Sequence, residues 1–244
     1  MVNPISVEKC RTFIDCQLSA VKSLGETAAG AFDRPTVTIS RQTGSGARTV
    51  AEKLAAYFQV HDTRAPCGWT VFDKNLVQKV LEDHHLPSRL AQYMPERKVS
   101  EIDDAVGEIL GLHPSAWTLI HHTTDTILRL AKLGNVILVG RGATIITAKL
   151  KNAFHVRLMG SLAKRAEQTA EYYQVSLKEA LALVEKEDKQ RERYLRKYFD
   201  RDIEDPLLYD LTINTDRISY DEAARLIGDT VLHRQETQVS DVLP

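Results

Sequence analysis

Arg41, Arg48 and Thr49 frame a glycine loop, "RQTGSGART", between a β-branched run and an amphipathic segment. Glycines at 44 and 46 let a backbone bend tightly and present its N–H groups to an anion. A helix beginning just after them adds a favourable dipole for phosphate. The P-loop pattern GxxxxGK[ST] is incomplete here, because Ala47 occupies the lysine position when Gly46 is taken as the second glycine. In the other register Arg48 replaces the lysine and Thr49 supplies the magnesium hydroxyl, with Ala47 in place of the glycine. Either register leaves a guanidinium nearby, from Arg41 or Arg48, and arginine binds phosphate through its planar fork. The stretch also reads as a structural turn, with Thr49 capping a helix through Glu52.

The elements that must position this loop are legible from pattern. Strands are expected at Thr36–Ser40, Gly68–Asp73, Asn135–Gly142, Ala153–Met159 and Leu208–Thr215. "NVILV" lacks alternation, which implies a strand buried on both faces, as in a parallel sheet. Helices are expected at 5–24, 49–59, 161–173, 176–199 and 219–232, the last two opened by capping boxes, Ser176 with Glu179 and Ser219 with Glu222. Strands alternating with helices predict an α/β sandwich around a parallel sheet. The mostly helical insert 74–133, broken near Pro87, Pro95 and Pro114, is too long for a simple crossover and predicts a lobe over the carboxyl edge.

The net charge of −1 gives no general reason to expect nucleic acid or an anionic membrane as partner. No apolar run is long enough to span a bilayer and the start lacks a secretion signal, so a cytoplasmic location is expected. Cys10, Cys16 and Cys67 form no CxxC, and all three are expected to be ordinary thiols. The histidine pairs His84–His85 and His121–His122 are expected to be structural or exposed. Trp69 and Trp117 are expected in the core.

Taken together, "TVTISRQTGSGART", "VILVGRGATII", "HVRLMGSLAKRAEQ", "EKEDKQRERYLRKYF" and "DPLLYDLTINTDRIS" resemble the cytidylate kinase-like family of P-loop proteins. The resemblance implies a P-loop three-layer sandwich with a five-stranded parallel sheet, a helical acceptor lobe and a helical lid. It implies ATP with Mg2+ as donor and CMP or dCMP as acceptor. The expected layout is an N-terminal helix and linker (1–34), a nucleoside monophosphate kinase-like domain (35–235) with lobe 74–133 and lid 185–201, and a tail (236–244). Helix 5–24 either packs across the domain or mediates a homodimer.

On this reading Gly44, Ser45, Gly46, Ala47, Arg48 and Thr49 bind donor phosphates, and Thr49 reaches the metal. Arg48, Arg41, Arg191 and Arg193 supply positive charge to the chemistry. Arg141 clamps the acceptor phosphate, Asp73 holds magnesium through water, orients the acceptor or caps the next helix, and Arg165 is a further lid-side arginine. Lys186, Lys189, Arg193 and Lys197 share one helix face, which is either the lid's cationic surface or a solvated one. Two departures bear on catalysis: Ala47 stands where cytidylate kinases carry lysine, and Val139 stands where they carry Asp before Gly-Arg. A nucleotide-binding module without turnover, or a kinase for another small acceptor, are the alternatives.

Overall fold

The computed structural model describes residues 34–73 and 118–240, together with 8, 11–17, 19, 20 and 106. Its sheet comprises β1 (Thr36–Arg41), β2 (Thr70–Phe72), β3 (Val136–Val139), β4 (Ala153–Met159) and β5 (Leu211–Asn214). Its helices are α1 (Ala47–His61), α2 (Thr118–Leu133), α3 (Ala143–Ile146), α4 (Leu162–Tyr173), α5 (Leu177–Phe199) and α6 (Tyr220–Ser240). The five strands are parallel, as expected, and lie in the order β2-β3-β1-β4-β5. From β1 the chain departs toward β2, while β4 continues toward β5, so connections diverge at the carboxyl end of β1. Open α/β sheets bind ligands at such a point.

Alternating residues send each strand's side chains to opposite faces. Val37 and Ile39 of β1 pack with Val156, Leu158 and Ile213 against α1 and α6, where Val50, Leu54, Phe58 and Ile227 close one core. Trp69 belongs to this core: its ring stacks on Phe58 at 3.8 Å and its indole N–H donates to Asp62 at 2.8 Å. Val136 and Leu138 pack on the other face with Phe72, α2 and α3. Phe13 and Ile14 of the N-terminal helix are buried there too, so that helix packs across the domain.

Helix ends follow the sequence. Ser176 and Glu179 form a reciprocal capping box on α5, and Ser219 and Glu222 do the same for α6. Helix α6 runs to Ser240, longer than the helix expected at 219–232. The expected lobe 74–133 is described only at residue 106 and from 118 onward, where α2 is helical; its proline breaks, His84, His85 and Trp117 lie outside the described residues.

One expectation is corrected. Cys16 and Cys67 are not separate thiols but form a disulfide between the N-terminal helix and the segment before β2. Both cysteines sit in or against the same core, and the chain brings their Cα atoms within 6.0 Å. A pairing across 51 residues leaves no local signal. Cys10 lies outside the described residues.

Candidate functional site

At the end of β1 the chain turns through Gln42–Gly46 and enters α1 at Ala47. Gly44 and Gly46 adopt left-handed φ values of 79° and 76°. Space also forces glycine at both positions. A Cβ on Gly44 would lie 2.2 Å from the Arg165 carbonyl oxygen, and one on Gly46 would lie 2.2 Å from the Tyr220 ring. Ser45 is buried, its hydroxyl donating to the Gln42 carbonyl at 2.8 Å. Thr49 does not cap the helix. The N-cap is Gly46, which offers no side chain, and Glu52 pairs with Arg48 instead. The first-turn amides of α1 therefore have neither an intrahelical acceptor nor a side-chain cap.

This helix start opens on a cleft of about 1310 Å³ that the whole loop lines, along with Asp73, Arg141, Arg191, Tyr194 and Tyr220. Three guanidinium groups reach it from separate elements. Arg41 comes from the end of β1 and lies so close to Gly140 that a Cβ there would fall 1.8 Å from its Nη1. Burial and the neighbouring Arg191 push the Arg41 pKa down to about 10, and Glu187 and Asp73 partly oppose this. Arg141 stands between Gly140 and Gly142, and all three have left-handed φ values, 82° at Gly140, 56° at Arg141 and 72° at Gly142. For a residue with a side chain that conformation costs about 1 kcal/mol, and such outliers concentrate at functional sites.

Arg191 enters from α5. Its Nη2 donates to Asp188 at 3.1 Å and to the Thr43 hydroxyl, and its Nη1 pairs with Glu187 at 3.2 Å. Asp188 is the hub. It accepts the Thr43 amide at 2.7 Å, the Thr43 hydroxyl at 2.8 Å and Arg165 at 2.7 Å. Arg165 also donates to the Thr43 carbonyl at 2.9 Å. The glycine loop, α4 and α5 are thus tied together around one carboxylate.

The comparisons with known proteins fit this geometry. Residues 36–217 match the cytidylate kinase-like family. The chain belongs to that family. A cytidylate kinase of Pyrococcus horikoshii is 26% identical over 204 residues, covering 82% of this chain and 90% of its own. A crystal structure of an uncharacterized protein from Eubacterium ventriosum superposes with a TM-score of 0.61 at 22% identity, covering 81% of this chain and 98% of that one. That likeness concerns the fold.

Within this cytidylate kinase-like chain the sequence-derived residues divide. Gly44, Ser45, Gly46, Ala47, Arg48, Thr49, Arg41, Asp73, Arg141 and Arg191 all line the cleft. Arg48 does so from its exposed rim, donating to Glu52 at 3.0 Å and to the Tyr172 hydroxyl at 3.3 Å. Arg193 does not line the cleft and is exposed. Lys186, Lys189 and Lys197 are exposed with it, so the shared cationic stripe faces solvent. The opposite stripe, Glu187, Arg191, Tyr194 and Leu195, faces the cleft. Val139 is buried and paired in register with Ile39.

Asp188, Tyr194 and Tyr220 belong to the site without being singled out by motif or spacing in the sequence. Their spacing of three from Arg191 could have flagged Asp188 and Tyr194 on the same face. Nothing local in the sequence points to Tyr220 lying on Gly46.

Proposed function

We propose that this chain transfers the γ-phosphoryl group of ATP to a nucleoside monophosphate, CMP or dCMP. The observation that carries the reading is the meeting of Arg41, Arg141 and Arg191 with the uncapped start of α1 in one cleft. Two phosphorylated ligands brought end to end need that much positive charge, and phosphoryl transfer depends mainly on positioning and charge stabilisation. Amides of Gly44 through Thr49 hold the donor phosphates. Arg41 takes the post of the missing lysine, and Arg141 holds the acceptor phosphate. Arg191 neutralises charge that develops between them. Arg48 and Arg193 are held outward and play the lesser part.

An acceptor phosphate oxygen attacks the γ-phosphorus. The bond to the β,γ-bridging oxygen breaks and its electron pair leaves with ADP. The acceptor is already an anion near neutral pH, so no side chain has to act as a strong base. Thr49 and Asp73 line the same cleft and fit the sparse protein ligation of Mg2+, which is usually held by one or two protein groups and the phosphates. When bound, the ion supplies Lewis-acid charge to the phosphoryl oxygens. We place the reaction in the cytoplasm, where such nucleotides are at hand.

A coupled ADP-release assay against CMP, dCMP, UMP, AMP and GMP tests the proposal. Turnover of CMP or dCMP with ATP and Mg2+ is expected, and no turnover of any of the five rejects it. A second reading, a nucleotide-binding module without catalysis, draws on Ala47 and Val139 at the two departed positions. Thermal stabilisation by ATP without turnover would select it.

A further inference from the structure

Helix α5 brings one more group into the cleft that the reaction outlined above leaves unused. Tyr194 lines it, yet its hydroxyl is buried and has no hydrogen-bond partner among the described residues. A buried hydroxyl without a partner costs stability, and phenylalanine would fill the same space without that cost. The ring is well seated: it lies 5.1 Å from Tyr198 and 5.9 Å from Phe199, centroid to centroid. Packing alone therefore accounts for the ring and leaves the oxygen unexplained.

The turn of α5 that carries the tyrosine is held in place by its neighbours. Phe199 lies against Gly142, where a Cβ would come within 2.8 Å of its ring, and Leu195 lies against the same glycine at 3.4 Å. These contacts dock the Tyr194 turn of α5 onto the Gly140–Gly142 loop, which carries Arg141. Burial raises the Tyr194 pKa, and the positive charge of Arg141 opposes that rise, so the two groups feel each other's field. One turn earlier on the same face, Arg191 Nε is likewise buried and unpartnered among the described residues. Two unused donors on one helix face, beside a strained arginine, describe a site for oxyanion oxygens.

We propose that Tyr194 is a substrate-binding residue whose hydroxyl donates to the phosphate of the acceptor monophosphate held by Arg141. This rests on the kinase reading of the cleft and adds to it a neutral donor that positions the attacking phosphate. A phenol suits that post, because it orients the oxyanion without adding to the crowd of positive charge around Arg41.

The test is Tyr194→Phe in the full chain, which keeps the ring. Binding of CMP, dCMP and ATP is measured by calorimetry, and melting is measured without ligand. The expected result is roughly tenfold or greater loss of affinity for both CMP and dCMP, from a lost hydrogen bond to a charged group, with ATP affinity unchanged. KM for the acceptor rises correspondingly more than kcat falls. The ligand-free variant melts no lower than wild type, since an unpaired hydroxyl has gone. Unchanged CMP and dCMP affinity would overturn the inference alone. A loss confined to CMP would put the hydroxyl on the ribose and overturn the phosphate assignment. An equal loss for ATP would put the hydroxyl on the donor and overturn that assignment too. Failure of wild type to bind either monophosphate would overturn the kinase reading and this inference with it.

Discussion

A guanidinium at position 41 enters the cleft from the end of β1, whereas a lysine at position 47 would enter from the first turn of α1. The two cations therefore approach a bound phosphate from different sides. Gly140 leaves room for the Arg41 guanidinium, because any Cβ there would occupy the space of its Nη1. The arrangement is costly without ligand: Arg41 is desolvated beside Arg191 and Arg141, which depresses its pKa to about 10. It remains protonated near neutral pH, and a bound anion would relieve it. Arg41→Met is therefore expected to weaken ATP binding by at least about tenfold, since charge-assisted hydrogen bonds are lost. The same variant should melt no lower than wild type in the absence of nucleotide, because a desolvated charge among like charges has been removed. Calorimetry with ATP and a thermal melt check both halves. Loss of stability without loss of affinity would make Arg41 a structural residue.

Among the elements, α5 walls one side of the cleft with Glu187, Arg191, Tyr194 and Leu195. Asp188 joins it to Thr43 of the loop and to Arg165 of α4, whose side chain is only 8% exposed. Removing one partner of a mostly buried pair leaves a charge uncompensated, and this costs more than the pair itself contributes. Asp188→Asn is expected to destabilise the protein by about 2 kcal/mol, less than for a fully buried pair because Asp188 is partly exposed. Arg196→Ala, which breaks an exposed pair with Glu192, should cost under about 0.5 kcal/mol. Urea titrations of both variants provide the comparison, and equal effects would remove Asp188 from its central place. The strands and both capping boxes were legible in the sequence because β-branched and unbroken apolar runs, period-3.6 patterns and cap residues are local signals. Helical spacing also grouped Lys186, Lys189, Arg193 and Lys197 correctly. Spacing cannot say which way a shared face turns, however. The packing of Leu195 and Phe199 on Gly142 settles that, and it turns Arg191 inward and Arg193 outward.

Across the whole molecule, the N-terminal helix is a structural partner of the sheet rather than an appendage. Phe13 meets Phe72 of β2 edge to face at 5.9 Å, and Cys16 is bonded to Cys67 just before that strand. No helix among the described residues is long and apolar enough to cross a membrane. The near-neutral balance of the chain is repeated in the cleft, where Arg41, Arg48, Arg141 and Arg191 stand with Glu52, Asp73, Glu171 and Glu187. The cysteine pairing was invisible in the sequence because distant segments meet only once the sheet has formed. Its consequences follow from chain statistics. Closing a loop across 51 residues lowers the entropy of the unfolded chain, and in the loop-closure model this stabilises the folded state by about 4 kcal/mol. Reduction, or Cys16→Ser, is therefore expected to lower the melting temperature clearly. The glycine loop should keep its affinity for ATP, because Gly44–Thr49 and their contacts lie on other elements. Peptide mapping under non-reducing conditions should recover the segments containing Cys16 and Cys67 as one species. Recovery of both as free thiols from protein purified without reductant would refute the bridge. The N-terminal helix would then be held to β2 by the apolar contacts of Phe13 and Ile14, and reductant would leave the melting temperature where it was.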